Sequence, residues 1–284
     1  MKKVVYQGVS GAFSYIAAKK FFSSNIKLIG LNKFEDIFKI VSKNKADYGV
    51  VPIENSLAGS IYENYDLLNK YKVKVCGEYY LKIELYLLGV KTRLNKNLRL
   101  KLLKKVYSHP KAFEQCKNFF EKYNHLEKIN LSDTAGAAKF ISETNDITLG
   151  AIASKICAKL YNLEIIEKHL EDNQENYTRF LIITNQKKYK LNPKSNKCSL
   201  IFGLSHIPGS LYHALEIFAK NKINLTKIES RPIPYKPFEY FFFLDFVFRR
   251  KKIKDILKIL KEFSKKTTFT KILGFYKEGK LKKS

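Results

Sequence analysis

Short apolar runs alternate with helix-periodic segments along most of this chain, and that alternation constrains the fold more than any other feature. Lys3–Gln7 reads as a strand and Gly8–Gly11 as a turn. Phe13, Ile16, Ala17 and Phe21 then fall at helical spacing behind Ser10 as an N-cap. Phe34, Ile37, Phe38 and Val41 mark a second helix, and Tyr48–Ile53 a buried strand closed by Pro52. Such a βαβ rhythm calls for a largely parallel sheet with helices on both faces. Val73–Val90 is strand-rich and long enough to cross from one lobe to another. After it come strands at Lys105–Ser108, Thr148–Ala153, Glu164–Glu167 and Arg179–Thr184, with helices at Pro110–Tyr123, Thr134–Ile141 and Ser154–Tyr161. Two α/β lobes with a ligand cleft between them are the expected outcome.

Asn185–Lys197 is polar, rich in lysine and contains Pro193, the composition of an interdomain linker. Beyond it the order is strand (Ser199–Leu204), helix (Leu211, Ala214, Leu215, Phe218), strands (Ile223–Glu229 and Tyr240–Phe248), helix (Ile253, Ile256, Leu257, Leu260) and strand (Phe269–Leu273). This is the ferredoxin-like βαββαβ arrangement. Tyr240, Phe242, Leu244, Phe246 and Phe248 share one face of their strand, as a sheet covered by two helices requires.

Composition removes several classes of function. With 45% hydrophobic residues, 18 Tyr and 21 Phe in 284 residues, the chain can bury too much apolar surface to be disordered. Its net charge of +27 first suggests nucleic acid or an anionic membrane. Yet 47 of the 53 basic residues are Lys and are spread along the chain, whereas phosphate- and base-reading surfaces favour the planar fork of Arg. No nucleic-acid partner is expected. Cys76, Cys116, Cys157 and Cys198 form no C-x-x-C and have no paired His, so neither a zinc site nor a disulfide framework is supported. Gln7, Gly8 and Ser10 interrupt the opening apolar run, and no window approaches the roughly 18 apolar residues of a spanning helix. A cytoplasmic protein without a membrane anchor is the expectation.

Polar clusters lie at the ends of the apolar strands. Gly8–Ser14 leads into a helix N-terminus whose backbone N–H groups suit an anion, or is an ordinary turn capped by Ser10. Glu54-Asn55-Ser56-Leu57-Ala58-Gly59-Ser60 gathers a carboxylate, an amide and two hydroxyls where α/β sheets present ligand contacts, or is a loop with Ser56 or Ser60 as an N-cap. Ser108-His109-Pro110 with Gln115 repeats that logic, although Pro is common in a first helical turn. In Gln174-Glu175-Asn176-Tyr177-Thr178-Arg179-Phe180, Arg179 enters a buried strand and needs an anionic partner, either a substrate carboxylate or one of the protein's own acids. P-loop, G-x-G-x-x-G, G-x-S-x-G and H-E-x-x-H patterns do not occur. The residues alone therefore describe a two-lobed binder of a small anion joined to a ferredoxin-like module.

In order along the chain, YQGVSGAFS, VVPIENSLAGSIYENYDLL, SHPKAFEQC, DTAGAA, AIASKICAKLYNLEIIE, QENYTRF and INLTKIESRP resemble the motifs of prephenate dehydratases with a C-terminal ACT domain. The resemblance spans nearly the whole chain. It implies a catalytic region over 1–185, bilobal like type II solute-binding proteins, a linker over 186–197 and an ACT regulatory domain over 198–284. The implied reaction removes water and CO2 from prephenate to give phenylpyruvate, on the route to phenylalanine, with no metal or organic cofactor. Thr178 matches the threonine that hydrogen-bonds the leaving hydroxyl, and Glu54, Asn55, Ser108 and Gln115 match the family's other catalytic cleft residues. Arg179, Ser56, Ser14 and Gly59 are the implied substrate contacts. Gly209, Leu211, Asn224, Leu225, Glu229, Ser230 and Arg231 match the motifs that bind phenylalanine between subunits, implying a homodimer or homotetramer held by ACT domains. Ala12 replaces a common Thr, Lys111 a common Gln and Ser210-Leu211-Tyr212 a common Ala-Leu-Val. The GAFS form also resembles plant arogenate dehydratases, which keeps arogenate open as the substrate. A third possibility is an amino-acid sensor that keeps the cleft without the reaction.

Overall fold

The computed structural model describes residues 1–233, 237–249 and 251–281. In chain order they form β1 (Lys2–Gln7), α1 (Phe13–Phe22), β2 (Ile26–Leu31), α2 (Phe34–Ser42), β3 (Tyr48–Asn55), β4 (Gly59–Ser60), α3 (Tyr62–Lys70), β5 (Val73–Lys82) and β6 (Tyr86–Val90). There follow α4 (Lys96–Leu102), β7 (Lys105–Ser108), α5 (Pro110–Glu114), α6 (Lys117–Lys122), β8 (Glu127–Asn130), α7 (Thr134–Thr144), β9 (Leu149–Ala153), α8 (Lys155–Leu160), β10 (Leu163–Glu167) and β11 (Tyr177–Asn185). The C-terminal part is β12 (Lys197–Gly203), α9 (Ser210–Lys220), β13 (Asn224–Pro232), β14 (Tyr240–Val247), α10 (Ile253–Ser264) and β15 (Phe269–Tyr276), the βαββαβ order read from the sequence. One sheet runs β2-β1-β3-β11-β5 with β4 paired to β3, a second β10-β6-β9-β7-β8, and a third β13-β14-β12-β15. The second sheet is mixed: β7 is parallel to β8 and β9, while β6 is antiparallel to β9 and β10.

The chain gathers into two compact units, one of residues 1–37, 50–61 and 80–180, the other of 38–49, 62–79 and 181–284. In the first, α7 presents Ala135, Ala137, Ala138 and Ile141 to Tyr86, Leu88, Ala151 and Ala153, all buried. Those small side chains let the helix lie close to the sheet. The turn after β1 is fixed by the same core: Gly11 has φ +94°, and a Cβ there would sit 2.6 Å from Cys157 Sγ. Ser154 Oγ donates to the Gly11 carbonyl at 2.7 Å and the Tyr161 hydroxyl to the Ser10 carbonyl at 2.6 Å.

Three local expectations change. Ala12, not Ser10, stands at the N-cap of α1 and makes no side-chain cap bond, because Gly11 turns the chain and the Ser10 side chain bonds Tyr6 instead. Val73–Val90 is two strands, broken at Ile83–Leu85. The helix expected over Pro110–Tyr123 breaks at Gln115 and Cys116, since the Asp172 carboxylate accepts from Lys117 N (2.8 Å) and Asn118 N (3.1 Å) and so starts a new helix. The cause lies 55 residues along the chain from Lys117, beyond the reach of local periodicity.

In the second unit, α9 and α10 cover one face of the third sheet through Cys198, Leu200, Phe202, Leu244, Phe246, Ile256, Leu260 and Phe263. Its other face meets α3: the Tyr65 and Phe243 rings pack edge to face at 4.6 Å, and Lys271 Nζ donates to the Leu68 and Asn69 carbonyls at 3.0 and 2.7 Å. The segment expected to be an interdomain linker makes specific contacts at Tyr189 and at its end, Lys197. The Tyr189 hydroxyl bonds both N–H and C=O of Phe275 at 2.8 Å, and Lys197 opens β12 with its ammonium on Glu78 at 2.9 and 3.0 Å. The Lys197 and Glu78 side chains are 2% and 0% exposed. Removing one member of such a pair costs far more than replacing both. Glu78→Gln is expected to lower the unfolding free energy by about 3–5 kcal/mol in a urea titration. Glu78→Leu with Lys197→Met should recover most of that loss; equal losses in the single and double variants would argue against the pairing.

Candidate active site

The start of β11 and the end of β3 meet through side-chain amides whose orientations follow from one another. Asn55 Oδ1 accepts from the backbone N–H of Leu57 (3.0 Å) and Ala58 (2.9 Å), which can only donate. Its amide nitrogen therefore faces the other way, donating to Asn176 Oδ1 (2.7 Å), the Tyr177 carbonyl (3.1 Å) and Thr178 Oγ1 (3.0 Å). Because Asn176 accepts from Asn55, its own nitrogen donates to Gln115 Oε1 at 2.9 Å. The Gln115 oxygen is thereby taken up, which leaves its nitrogen as the donor of a residue that lines a cavity. Thr178 Oγ1, already an acceptor, is left with its O–H to give. Two backbone N–H groups thus fix both side chains as donors, Thr178 directly through Asn55 and Gln115 through the fully buried Asn176.

The relay borders a cavity of about 500 Å³ within the first unit. Phe13, Phe34, Pro52, Ile61, Ile83, Leu85 and Phe180 supply apolar wall, and Gln7, Ser14, Asn55, Ser60, His109, Lys111, Gln115, Asp133 and Thr178 the polar contacts. An apolar enclosure with a few directed polar groups is the form small-molecule sites take. Ala12 brings the N-terminus of α1 to this cavity, with no side chain capping its first turn. Gly59, at φ +79° with open space where a Cβ would point, also lines it.

Other expected site residues support the wall. Arg179 finds its anionic partner within the protein: its guanidinium lies 3.1 Å from Glu54 Oε1, 3% exposed against 30% for Glu54. Ser108 is buried and donates to the Ile152 carbonyl at 2.7 Å. Ser56 Oγ donates to the Glu175 carbonyl (2.8 Å) and accepts from Tyr177 N (2.9 Å), tying the loop after β3 to β11. Asp133, beyond the residues expected from sequence, caps α7 by accepting from Gly136 N at 2.7 Å and lines the cavity. Its signal was the acidic residue opening the DTAGAA run at a helix start. The cysteines offer no thiolate chemistry, since burial pushes Cys76 and Cys157 up to about 12 and about 11.

His109 Nδ1 accepts from Lys111 N at 3.1 Å, so a neutral ring carries its proton on Nε2. Burial pushes its pKa down, against the opposing effect of Asp133. In the second unit, a groove of about 440 Å³ brings together Gly209 and Leu211, with Ile207, Tyr212, Tyr240 and Phe242 around them. Asn224, Leu225, Glu229, Ser230 and Arg231 lie along β13, outside that groove. Gly209, at φ +81°, is the N-cap of α9, which begins at Ser210.

Two α/β sheets with an apolar cavity bordered by oriented donors, followed in the chain by a βαββαβ module, define a bilobal α/β protein with a small-molecule cavity and a ferredoxin-like domain. The prephenate dehydratase family model matches residues 4–188, and the ACT domain model residues 199–264. A prephenate dehydratase of Methanocaldococcus jannaschii is 41% identical over 280 residues, covering 97% of this chain and 98% of that protein. An Arabidopsis thaliana protein named arogenate dehydratase/prephenate dehydratase 2 is 38% identical, covering 96% of this chain and 72% of that one. The structure of Arthrobacter aurescens prephenate dehydratase in complex with L-Phe shares the fold, with a TM-score of 0.85 at 23% identity and coverage of 97% and 90%. The chain belongs to the prephenate dehydratase family and carries an ACT domain.

Asn55→Asp removes the donor that sets the relay's polarity while keeping the side chain's size. Turnover of the family's substrate should fall about 100-fold, the scale of losing one positioned donor, with the unfolding midpoint little changed. Unaltered turnover would exclude the relay from catalysis. For His109, 15N NMR should show the Nε2–H tautomer at pH 7 and protonation only below the ordinary 6.5. Acid protonates the unfolded chain's imidazole first, so the stability His109 contributes is present above about 6.5 and declines as pH falls through its lowered native value.

Proposed function

We propose that this chain catalyses the decarboxylative dehydration of prephenate to phenylpyruvate, with Thr178 as the group that assists loss of the ring hydroxyl. In that reaction the C–C bond to the ring carboxylate breaks and its electron pair enters the ring. The C–O bond on the far side breaks, the hydroxyl leaves as water with uptake of one proton, and CO2 departs. Aromatisation drives the step, and the chemistry calls for no metal or organic cofactor. The protein's task is to stabilise charge developing on the departing oxygen. A threonine hydroxyl is too weak an acid to hand over its proton outright, but one that accepts from Asn55 at 3.0 Å has its own hydrogen directed elsewhere and is polarised to donate. This bond is the observation that carries the reading.

The substrate's two carboxylates are anions, and the reading assigns them to the α1 N-terminus with Ser14, to neutral His109, to Lys111 and to the Gln115 amide. Glu54 then serves by holding Arg179 in place, which accounts for an acid beside a dianion. Arogenate is the second reading, favoured by Ala12 in the cavity wall and by the dual name of the Arabidopsis relative. The catalytic region takes residues 1–185, the linker 186–197 and the regulatory domain 198–284.

Phenylalanine is the proposed feedback effector, supported by the ACT match and by the ligand named for the Arthrobacter structure. Exposed Ile207, Tyr212, Ile228 and Tyr240 around the ACT groove and along β13 favour a homodimer or homotetramer built through these domains. A reducing, cytoplasmic setting fits four cysteines present as thiols.

Thr178→Ala is expected to lower kcat about 100-fold or more with KM changed only several-fold, while Thr178→Ser retains most activity, read from phenylpyruvate absorbance at alkaline pH. Near-normal turnover by the alanine variant would sink the assignment. Prephenate and arogenate assayed side by side decide the substrate, and no product from either would leave the sensor reading.

A further inference from the structure

Helix α3 joins two functional regions by covalent continuity and by contact. Its first residue, Tyr62, follows directly on Gly59, Ser60 and Ile61, which line the substrate cavity. The remainder of α3 packs on β13 to β15 of the ACT sheet in the second unit. Arg231, on β13, grips two successive turns of α3. Its Nε and Nη2 donate to the two Asp66 carboxylate oxygens at 3.1 and 2.7 Å, and its guanidinium carbon stands 4.6 Å from the centre of the Tyr62 ring. Tyr62 and Asp66 are four residues apart and so share one face of the helix. Lys271, on β15, holds the opposite end through the Leu68 and Asn69 carbonyls.

Along β13 burial alternates: Asn224, Thr226, Ile228, Ser230 and Pro232 are exposed, and Leu225, Lys227, Glu229 and Arg231 are half-buried. Ser230 and Arg231 therefore point to opposite faces of one strand. The strand that carries the proposed effector motif thus carries, one residue on, the clamp on the helix that begins where the cavity wall ends. A bidentate guanidinium–carboxylate pair with a stacked ring is directional, and a shift of β13 that turned Arg231 would be felt at both Tyr62 and Asp66. Coupling between sites requires an element whose placement both sites bias, and α3 touches β13 through Asp66 and Tyr62 and continues in the chain from Gly59–Ile61.

Resting on the effector reading above, we propose that Asp66 and Tyr62 are positioning residues: gripped by Arg231, they set the start of α3 and with it Gly59–Ile61, so that effector occupancy at β13 alters substrate handling. Arg231 on this view serves the helix and not the effector's carboxylate.

The test uses the full-length protein in wild-type, Asp66→Asn, Asp66→Glu and Tyr62→Leu forms. Each is measured for phenylalanine binding by calorimetry, for turnover without phenylalanine, and for the change in kcat/KM at saturating phenylalanine. Asp66→Asn is expected to bind phenylalanine and turn over within about threefold of wild type, yet to lose at least about fivefold of the inhibition, the lower end of ordinary coupling. Asp66→Glu should restore inhibition. Tyr62→Leu, which keeps the ion pair, should lose part of it and serves if Asp66→Asn does not fold. Wild-type inhibition in both Asp66→Asn and Tyr62→Leu would overturn the proposal. So would loss of phenylalanine binding, which would put the pair in the effector site itself, or a fall in uninhibited turnover that tracks a lowered Tm. A wild-type protein that neither binds nor answers to phenylalanine would overturn the effector reading and the coupling with it, an outcome visible in the wild-type arm alone.

Discussion

The backbone N–H groups of Leu57 and Ala58 can only donate, and the direction of the whole relay follows from that fact. They claim the Asn55 oxygen, which turns the Asn55 nitrogen toward Asn176 and Thr178, and Asn176 passes the same sense to Gln115. Every side chain in the relay has its orientation set by a neighbour, so its donors are aligned by the fold itself. Preorganised dipoles of this kind do more for a transition state than mobile charges, because their alignment cost is met at folding. The buried Asn176 joins a residue at a helix break, Gln115, to the last residue of β3, Asn55, and so holds the cavity's polar edge together.

Around this relay, the Arg179–Glu54 ion pair is kept back from the cavity. Arg179 and Glu54 neutralise each other beside β11, and neither lines the cavity. Neutral donors, a helix N-terminus and two residues of opposite charge, Lys111 and Asp133, face it instead. For a dianionic substrate that must lose one carboxylate as CO2, moderate attraction suits the chemistry. A strongly cationic pocket would stabilise the ground-state carboxylate that has to leave, and equal or greater stabilisation of the ground state does not speed the step. The net charge of +27 is accordingly a property of the surface, where it can draw anions in by long-range attraction that salt weakens.

Much of the architecture was legible from periodicity. The βαββαβ module appeared in the predicted order, and the alternation over Tyr240–Phe248 put Phe242, Leu244 and Phe246 on the helix-covered face. Where periodicity failed, a distant residue had intervened. Phe113, Cys116, Phe120 and Tyr123 keep helical spacing through a break that Asp172 imposes, and Gln115 owes its place in the relay to that break. For the polar stretch from Asn185 to Lys197, local composition suggests a linker but cannot show the partners that Tyr189 and Lys197 find in Phe275 and Glu78. Asp133 went unnoticed as a site residue because an acid at a helix start has a sufficient local explanation as a cap.

The sequence by itself determined the order of elements, the existence of two α/β lobes and a ferredoxin-like module, and the residue types that gather near the cleft. These depend on short-range patterns of apolar and polar side chains, which are written along the chain. Tertiary structure alone decided how those residues divide their work. It turned Thr178 and Gln115 into donors, set Arg179 on Glu54 and not on a ligand, and placed Arg231 against α3. The physical reason is that a hydrogen bond's direction and a charge's partner are settled by whichever groups the fold brings within about 3 Å, and here those groups lie more than 120 residues apart for Arg179 and Glu54 and 165 apart for Arg231 and Asp66.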